Sequence, residues 1–165
     1  MKNIWEIRGN TLIIWAREHG VLVECYSDPE ALPRLDALRG SWYVDPLNGY
    51  VQMDLSVAGR KRRYYMHRVV ARTPDGMLTD HKDGKRRNNR SSNLRPCNNK
   101  QNSQNSRPYG KTGVRNVAWH KQRGKYHVQL NVGGKKISGG LHSDLAKAND
   151  VAVALRRIHF PFSVV

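Results

Sequence analysis

The residues whose types could do chemistry lie in a polar stretch near the middle of the chain. Asp80 and His81 are adjacent, and Asn102 follows further along. Because an unperturbed imidazole titrates near neutral pH, His81 is suited to take a proton from water. Asp80 and the amide oxygen of Asn102 are hard oxygen ligands of the kind that Mg²⁺ binds, and so small a ligand set leaves room for waters and a phosphate. These groups predict metal-assisted hydrolysis of a phosphodiester.

The surrounding residues resemble the HNH nucleases, and most closely the intron- and phage-type homing endonucleases whose third motif residue is Asn. The interval from His81 to Asn93 is 12 residues, and the interval from Asn93 to Asn102 is 9 residues. An upstream His67-Arg68 pair also matches that branch. The resemblance covers about 40 positions and rests on several identities at fixed spacing, which makes it specific. The matching segments are 80–84, Asn88-Asn89, 93–95 and Gln101-Asn102.

This resemblance implies a DNA endonuclease with one HNH site, built from two strands and a helix around one divalent ion. It implies Mg²⁺ or Mn²⁺ as the ion, double-stranded DNA as the partner and no small-molecule cofactor. It also implies that Asn93 orients the His81 ring through a hydrogen bond. A single site per chain would nick one strand, and a double-strand cut would need a dimer or two binding events. The competing hypothesis is a sequence-specific DNA-binding protein without catalysis.

Several residues near the motif keep two interpretations. His67 is either a core histidine or a catalytic group, and Arg68 and Arg95 either bind phosphate or lie in solvent. Neighbouring side chains on a regular strand point to opposite faces. We therefore expect the backbone to depart from a regular strand at Asp80 and His81, so that both side chains reach the same phosphate.

The net charge is concentrated in the last two thirds of the chain. Residues 1–60 carry a net charge of −2 and residues 61–165 carry +18, which together give the net charge of +16. Such a density predicts a polyanionic partner, since each Lys or Arg that meets a phosphate releases condensed counterions. An RNA binder of the ribosomal type and a solubilising surface are the alternatives, but a solubilising surface seldom needs so much charge of one sign.

The last 50 residues predict three basic strands followed by an amphipathic helix. The strands are expected at 114–120, 126–132 and 135–138, and the helix at 144–158, where apolar residues recur with a period of 3.6. Residues 112–160 resemble the plant ethylene-response-factor DNA-binding domain through 113–115, Trp119, 124–126, 133–135 and 146–150. That resemblance implies a sheet lying in the major groove. It implies DNA contacts by Arg115, Trp119, Lys121, Arg123, Gln129 and Lys135.

The placement of Tyr126 stays open between two arguments. The resemblance puts Tyr126 on the groove face. Strand alternation instead puts Tyr126 on one face with Val128 and Leu130, which is the core face if the helix covers the apolar side. In that case His127 and Gln129 face the DNA, together with Asn131.

The order of elements predicts an α+β fold in three parts. Residues 1–59 form a small β-rich module with hairpins at 11–26 and 42–57 and a short helix at 31–38. Residues 60–107 form the HNH core, and residues 112–165 form the three-stranded sheet with its helix. A linker is expected at 107–112.

Composition excludes some classes of protein. Cys25 and Cys97 stand alone without a CxxC pair, so a zinc ribbon is not expected. No apolar run reaches the roughly 20 residues of a membrane helix. The first residues lack the layout of a signal peptide, which predicts a cytoplasmic protein, phage-encoded in a bacterial host by the resemblance above.

Overall fold

Alternation of apolar and polar residues builds one large sheet near the N-terminus. The computed structural model of the protein describes residues 1–106, 108 and 110–164. The sheet has six strands in the order β1-β2-β4-β5-β6, with β3 paired to β2. Its strands are β1 (Trp5–Arg8), β2 (Thr11–Glu18), β3 (Val21–Ser27), β4 (Tyr43–Val44), β5 (Val51–Val57) and β6 (Arg60–Tyr65). Both predicted hairpins are confirmed, as the β2–β3 and β4–β5 pairs, and β1 is a strand that the sequence did not predict.

Two short helices cover one face of this sheet. They are α1 (Leu32–Ala37), which follows a 3-10 turn at Pro29–Ala31, and α2 (Met66–Ala71). Leu12, Ile14 and Ala16, at alternate positions of β2, are fully buried, and Trp42 is 1% exposed. These side chains share one apolar core with residues of both helices. The core gives the following segment a rigid base.

A small two-stranded sheet follows α2. It pairs β7 (Leu78–His81) with β8 (Leu94–Cys97) in antiparallel register, and Asp80 lies opposite Arg95. The loop between these strands carries residues 82–93, and α3 (Asn99–Ser103) comes after β8. The expected departure from a regular strand is wrong, since β7 continues through His81 and the turn begins at Lys82.

The C-terminal residues form three antiparallel strands and one long helix, as the sequence predicts. The strands are β9 (Val117–His120), β10 (Lys125–Val132) and β11 (Lys135–His142), in the order β11-β10-β9. The helix α4 (Leu145–His159) begins after Asp144, whose side chain accepts a hydrogen bond from the Lys147 N–H. Ala148 and Ala152 of α4 pack on Val128 and Leu130 of β10. Gly139 lies at a bulge in β11, where a Cβ would meet the Val128 side chain at 2.8 Å.

The chain divides into two compact units, Met1–Asn99 and Lys100–Val165, which we call the first and the second unit. The architecture is mixed α+β, as predicted. A boundary after residue 59 would separate β5 from β6, which pair from Gln52 to Tyr65. The predicted linker includes Arg107 and Tyr109, which lie outside the described residues. Within the described part of the chain no helix is long and apolar enough to span a membrane.

Candidate active site

The end of β7 carries two consecutive buried polar residues. Asp80 is 7% exposed and His81 is 5% exposed. Since adjacent residues of a regular strand point to opposite faces, the two side chains meet different neighbours. Asp80 faces its cross-strand partner Arg95, whereas His81 faces aromatic rings and the loop 82–93.

The Asp80 carboxylate is held by a guanidinium. Arg95 donates from Nε at 2.9 Å and from Nη2 at 2.8 Å, both to Oδ2 of Asp80. The Asp80 side chain is 8% exposed and that of Arg95 is 22% exposed, so this ion pair is largely shielded from water. A buried carboxylate needs such a positive partner, because an unbalanced charge in a poorly solvated site is costly. Arg95 therefore has a partner within the protein rather than lying in solvent.

The His81 ring contacts the side chain of Asn89. Nε2 of His81 lies 3.2 Å from Oδ1 of Asn89, which is fully buried. Burial is the largest influence on His81 and lowers its pKa below the usual value, although the hydrogen bond with Asn89 acts in the opposite direction. Burial therefore favours the neutral imidazole, the form that can accept a proton.

Asn93 organises the loop instead of the His81 ring. Its Oδ1 accepts from the Asp83 backbone N–H at 3.0 Å, and its Nδ2 donates to Oδ1 of Asp83 at 2.9 Å and to the Asn88 carbonyl at 2.8 Å. The expected side-chain hydrogen bond from Asn93 to His81 is thus replaced by the one from Asn89. The physical reason is that the turn after His81 presents the Asp83 N–H and carboxylate to Asn93.

A strand of the large sheet anchors the same loop. The Asn89 N–H donates to the Tyr26 carbonyl at 2.7 Å, and the Tyr26 N–H donates to the Arg87 carbonyl at 2.8 Å. Ser27, also on β3, donates from its hydroxyl to the Asn89 carbonyl at 3.3 Å. These backbone contacts fix where the Asn89 side chain points.

His67 belongs to a cluster of rings beneath His81. Its ring centroid lies 4.9 Å from that of Tyr50, 5.5 Å from that of Tyr65 and 5.2 Å from that of His81. Burial is the main reason that its pKa falls to about 3, with the charges of His81 and Arg68 acting in the same direction. Among the described residues Nδ1 of His67 has no hydrogen-bond partner. These features fit a neutral core histidine that packs against His81.

Arg68 and Asn102 lie elsewhere in the architecture. Arg68 donates to the carbonyls of Met77 at 2.6 Å and of Pro74 at 3.1 Å, so it fastens the turn that leads into β7. Asn102 is exposed on α3 and belongs to the second unit. Its partnership with Asp80 in metal binding stays a prediction.

The donor chemistry of the predicted metal ligands fits Mg²⁺ or Mn²⁺. Asp80 and Asn102 offer only oxygen atoms, which these ions prefer. The guanidinium of Arg95 already places positive charge against Asp80. Among the described residues no group of three or more His, Cys, Asp or Glu side chains could hold a metal.

A comparison with protein families finds a similarity in this segment. The family model described as HNH endonuclease matches residues 64–104, which include Asp80, His81, Asn93 and Asn102. Residues 64–104 are therefore similar to HNH endonucleases. The matched segment starts near the end of β6 and runs through α2, β7, β8 and α3. This similarity agrees with the endonuclease that the sequence predicts.

Comparison with solved structures finds the HNH homing endonuclease I-HmuI, in a structure concerned with DNA binding and cleavage. The identity is 22%, the TM-score is 0.35, and the match covers 61% of this chain and 55% of that chain. The chain thus spans about half the length of this relative, and at that TM-score the similarity supports no argument about the site. A comparison with curated proteins finds no match.

The second unit exposes some, but not all, of the predicted DNA-binding residues. Lys121 and Arg123 are exposed in a 3-10 turn between β9 and β10, and Lys135 is exposed at the start of β11. Gln129 is half-buried and lines a groove of about 500 Å³ together with Lys121 and residues of β9. These four residues are placed where a polyanion could reach them.

Trp119 is 50% exposed and lines the same groove as Gln129, and its ring lies 4.8 Å from that of Tyr126 across the strands. Tyr126 packs against the core of the second unit, so strand alternation placed it correctly. Arg115 lies differently from the expectation. The guanidinium of Arg115 donates to Ser163 Oγ at 3.2 Å and to the Gln104 carbonyl. From the turn before β9, Arg115 thus links the segments around Gln104 and Ser163 within the second unit.

Proposed function

We propose that this chain is a metal-dependent DNA endonuclease of the homing type that hydrolyses phosphodiester bonds at one HNH site. The observation that carries the proposal is His81, which is buried beside Asp80 at the end of β7 within the matched HNH segment. The +18 net charge of residues 61–165 supports double-stranded DNA as the substrate.

In this proposal each residue of the site has a separate task. His81 takes the proton from the attacking water, and its lowered pKa keeps the ring neutral for that step. Asn93 keeps the turn after His81 in shape through Asp83. Arg95 holds the Asp80 carboxylate in place and is close enough to it to share contact with a bound phosphate.

Asp80 and Asn102 would hold one Mg²⁺ or Mn²⁺ ion in this site. When bound, such an ion stabilises the negative charge that develops on the leaving oxygen. The Asp80 carboxylate would then be shared between the ion and the guanidinium of Arg95.

The second unit would supply affinity for duplex DNA. Lys121, Arg123 and Lys135 are exposed and would contact phosphates, while Gln129 would meet base edges. The resemblance to the ethylene-response-factor domain and the three-stranded sheet packed on α4 support this assignment. A site-specific nick by one chain, or a double-strand cut by two, follows from one HNH site per chain.

The test compares two histidine variants of the full chain. His81→Asn should lower the rate of DNA cleavage in Mg²⁺ or Mn²⁺ by about 10²- to 10⁴-fold, since general-base catalysis is lost. His19→Asn changes the same residue type in the exposed turn between β2 and β3 and should cut like the unaltered protein. Equal cleavage by the two variants would remove His81 from the mechanism. Sequencing of the cut ends would also reveal the target site.

A second candidate is a DNA-binding protein that does not cut. The ion pair between Asp80 and Arg95 favours it, because Arg95 occupies carboxylate oxygen that a metal would need. This candidate predicts tight, sequence-specific binding of DNA with no cleavage in either metal.

A further inference from the structure

The pair Asn88-Asn89 belongs to the HNH-like motif, yet neither amide has a role in the mechanism above. Asn88 donates from Nδ2 to Asp83 at 2.7 Å and thus stabilises the loop. Asn89 is fully buried, and its side-chain oxygen points at the ring nitrogen of His81. A buried amide is thus in direct contact with the proposed general base.

The hydrogen-bonding capacity of the two groups fixes the position of the ring proton. The side-chain oxygen of an asparagine can only accept a hydrogen bond. Nε2 of His81 must therefore carry the proton that is donated to Oδ1 of Asn89. In a neutral imidazole only one nitrogen is protonated, so the lone pair lies on Nδ1 of His81.

The Asn89 amide is placed for this contact at some cost. Its Nδ2 is buried and has no hydrogen-bond partner among the described residues. A buried donor without an acceptor is unfavourable, and such groups in folded proteins call for a functional reason. A leucine would fill similar space without that cost, but it could not accept a hydrogen bond from His81.

Residues 1–60 supply the support that keeps Asn89 in position. The main chain of Asn89 is bonded to Tyr26 and Ser27 of β3, and Arg90 donates from Nη2 to Thr11 Oγ1 at 2.9 Å. Asp28 accepts hydrogen bonds from both the N–H and the hydroxyl of Ser91. The loop is thus attached to the large sheet through backbone groups that a change of the Asn89 side chain leaves intact.

We propose that Asn89 is a positioning residue that fixes the tautomer and the orientation of His81, so that Nδ1 carries the lone pair of the neutral ring, and that β3 holds Asn89 in place. This inference rests on the proposed nuclease function, because it assumes that His81 is the base. Asn89 itself touches neither water nor DNA in this role.

The experiment measures the His81 tautomer by ¹⁵N NMR of the imidazole in the full-length, metal-free protein. The His81 signals are assigned by their loss in His81→Asn. The unaltered protein should show a protonated Nε2 and an unprotonated Nδ1. Asn89→Leu should lose this preference, and its single-turnover cleavage should fall about tenfold to a hundredfold at unchanged DNA affinity. Asn89→Asp keeps the acceptor and should keep both the tautomer and most of the rate.

A control variant separates orientation of the ring from general damage to the loop. Asn88→Leu removes the contact with Asp83 but leaves the Asn89 amide in place, so it should lower the melting temperature without changing the His81 tautomer. If Asn89→Leu keeps the Nε2–H tautomer and the full cleavage rate, the proposal is wrong. If Asn89→Leu does not fold, loss of the Nε2–H tautomer in the folded Asn89→Asp overturns the proposal equally.

The two proposals can fail separately. If His81→Asn cuts DNA as well as the unaltered protein, the nuclease mechanism fails, and the NMR result still decides whether Asn89 orients His81. If His81→Asn is inactive while Asn89→Leu is fully active with an unchanged tautomer, only the role of Asn89 fails.

Discussion

The two sheets that carry functional residues place them in opposite environments. Around the β7–β8 pair, Thr79, Asp80, His81, Asn89 and Asn93 are all buried and are bonded within the first unit. On the three-stranded sheet of the second unit, Lys121, Arg123 and Lys135 are exposed, and the core consists of small and aliphatic side chains. The polar groups of the first sheet are thus fixed by neighbours within the protein, whereas the charged groups of the second are exposed to solvent.

This difference separates chemistry from affinity. A buried polar group is oriented before any ligand arrives, but its loss leaves an unsatisfied neighbour behind. An exposed lysine costs little to place and contributes only when a phosphate comes near. Substitutions of the buried polar residues around β7 and β8 should therefore change stability and rate together, whereas those of Lys121, Arg123 and Lys135 should change binding alone.

The largest effect is expected at the buried ion pair. Arg95→Met removes the charge that balances Asp80 and should destabilise the protein by about 2 kcal/mol, below the value for a fully buried pair because Arg95 is 22% exposed. For a chain of this size the melting temperature should fall by about 4–8 °C. Added Mg²⁺ should restore more of the melting temperature in Arg95→Met than in the unaltered protein, if Asp80 binds the ion.

A matched arginine provides the control for that effect. Arg63 also donates two hydrogen bonds to a carboxylate, Asp54, but both side chains are well exposed. Arg63→Met should leave the melting temperature nearly unchanged, since exposed ion pairs contribute little. Equal changes in melting temperature for the two variants would mean that the buried ion pair at Asp80 stabilises the protein no more than the exposed one at Asp54.

A pH-dependent effect is expected at His67. The unfolded chain takes up a proton near pH 6.5, whereas the buried ring in the folded protein stays neutral until about pH 3. Protonation therefore favours the unfolded state, and stability should fall as the pH drops from 6.5 toward 3. His67→Phe keeps the ring and removes this titration, so at pH 5 it should be more stable than the unaltered protein by up to about 2 kcal/mol.

Thermal denaturation at two pH values checks the role of His67. At pH 7.5 the two proteins should melt at similar temperatures, because His67 is then neutral in both the folded and the unfolded state. A gap that is the same at pH 7.5 and pH 5 would show that packing, and not the proton, separates the variants.

The smallest effect is expected on the exposed sheet. Lys121→Ala should weaken DNA binding by a similar factor for all sequences and reduce the salt dependence of the affinity by about one phosphate contact. The melting temperature should not change. Lys147→Ala, an equal change of charge on the exposed part of α4, serves as the comparison. An identical loss of affinity in both variants would indicate that DNA binding depends on the net charge of the protein and not on a contact made by Lys121.

The elements with strong local patterns were predictable from the sequence. The β2–β3 hairpin alternates around a glycine turn, and α4 has an apolar stripe after a capping aspartate, so both form as expected. The strand β1 has only 4 residues, and two of its apolar side chains, Trp5 and Ile7, are 43% and 50% exposed, which leaves a weak pattern. Local periodicity could not identify it.

The partners of the polar residues were less accessible to sequence reasoning. The motif placed Asp80 and His81 correctly at the end of a strand, but it did not reveal that Asn89 rather than Asn93 meets the His81 ring. That choice depends on the course of a loop that β3 holds from far away in the sequence. Likewise, Arg68 and Arg115 bond to carbonyls of their own unit, and a charged side chain gives no local sign of such a partner.

The bridge between Tyr26 and Asn88 joins residues that are far apart along the chain. A fragment that begins at residue 64 would contain the whole matched HNH segment but would lack the strand to which its loop is fastened. The matched segment alone therefore lacks contacts that hold its loop in this structure. A chimera that transplants it to another protein must also transplant β3 or provide a strand edge with the same spacing of N–H and carbonyl groups.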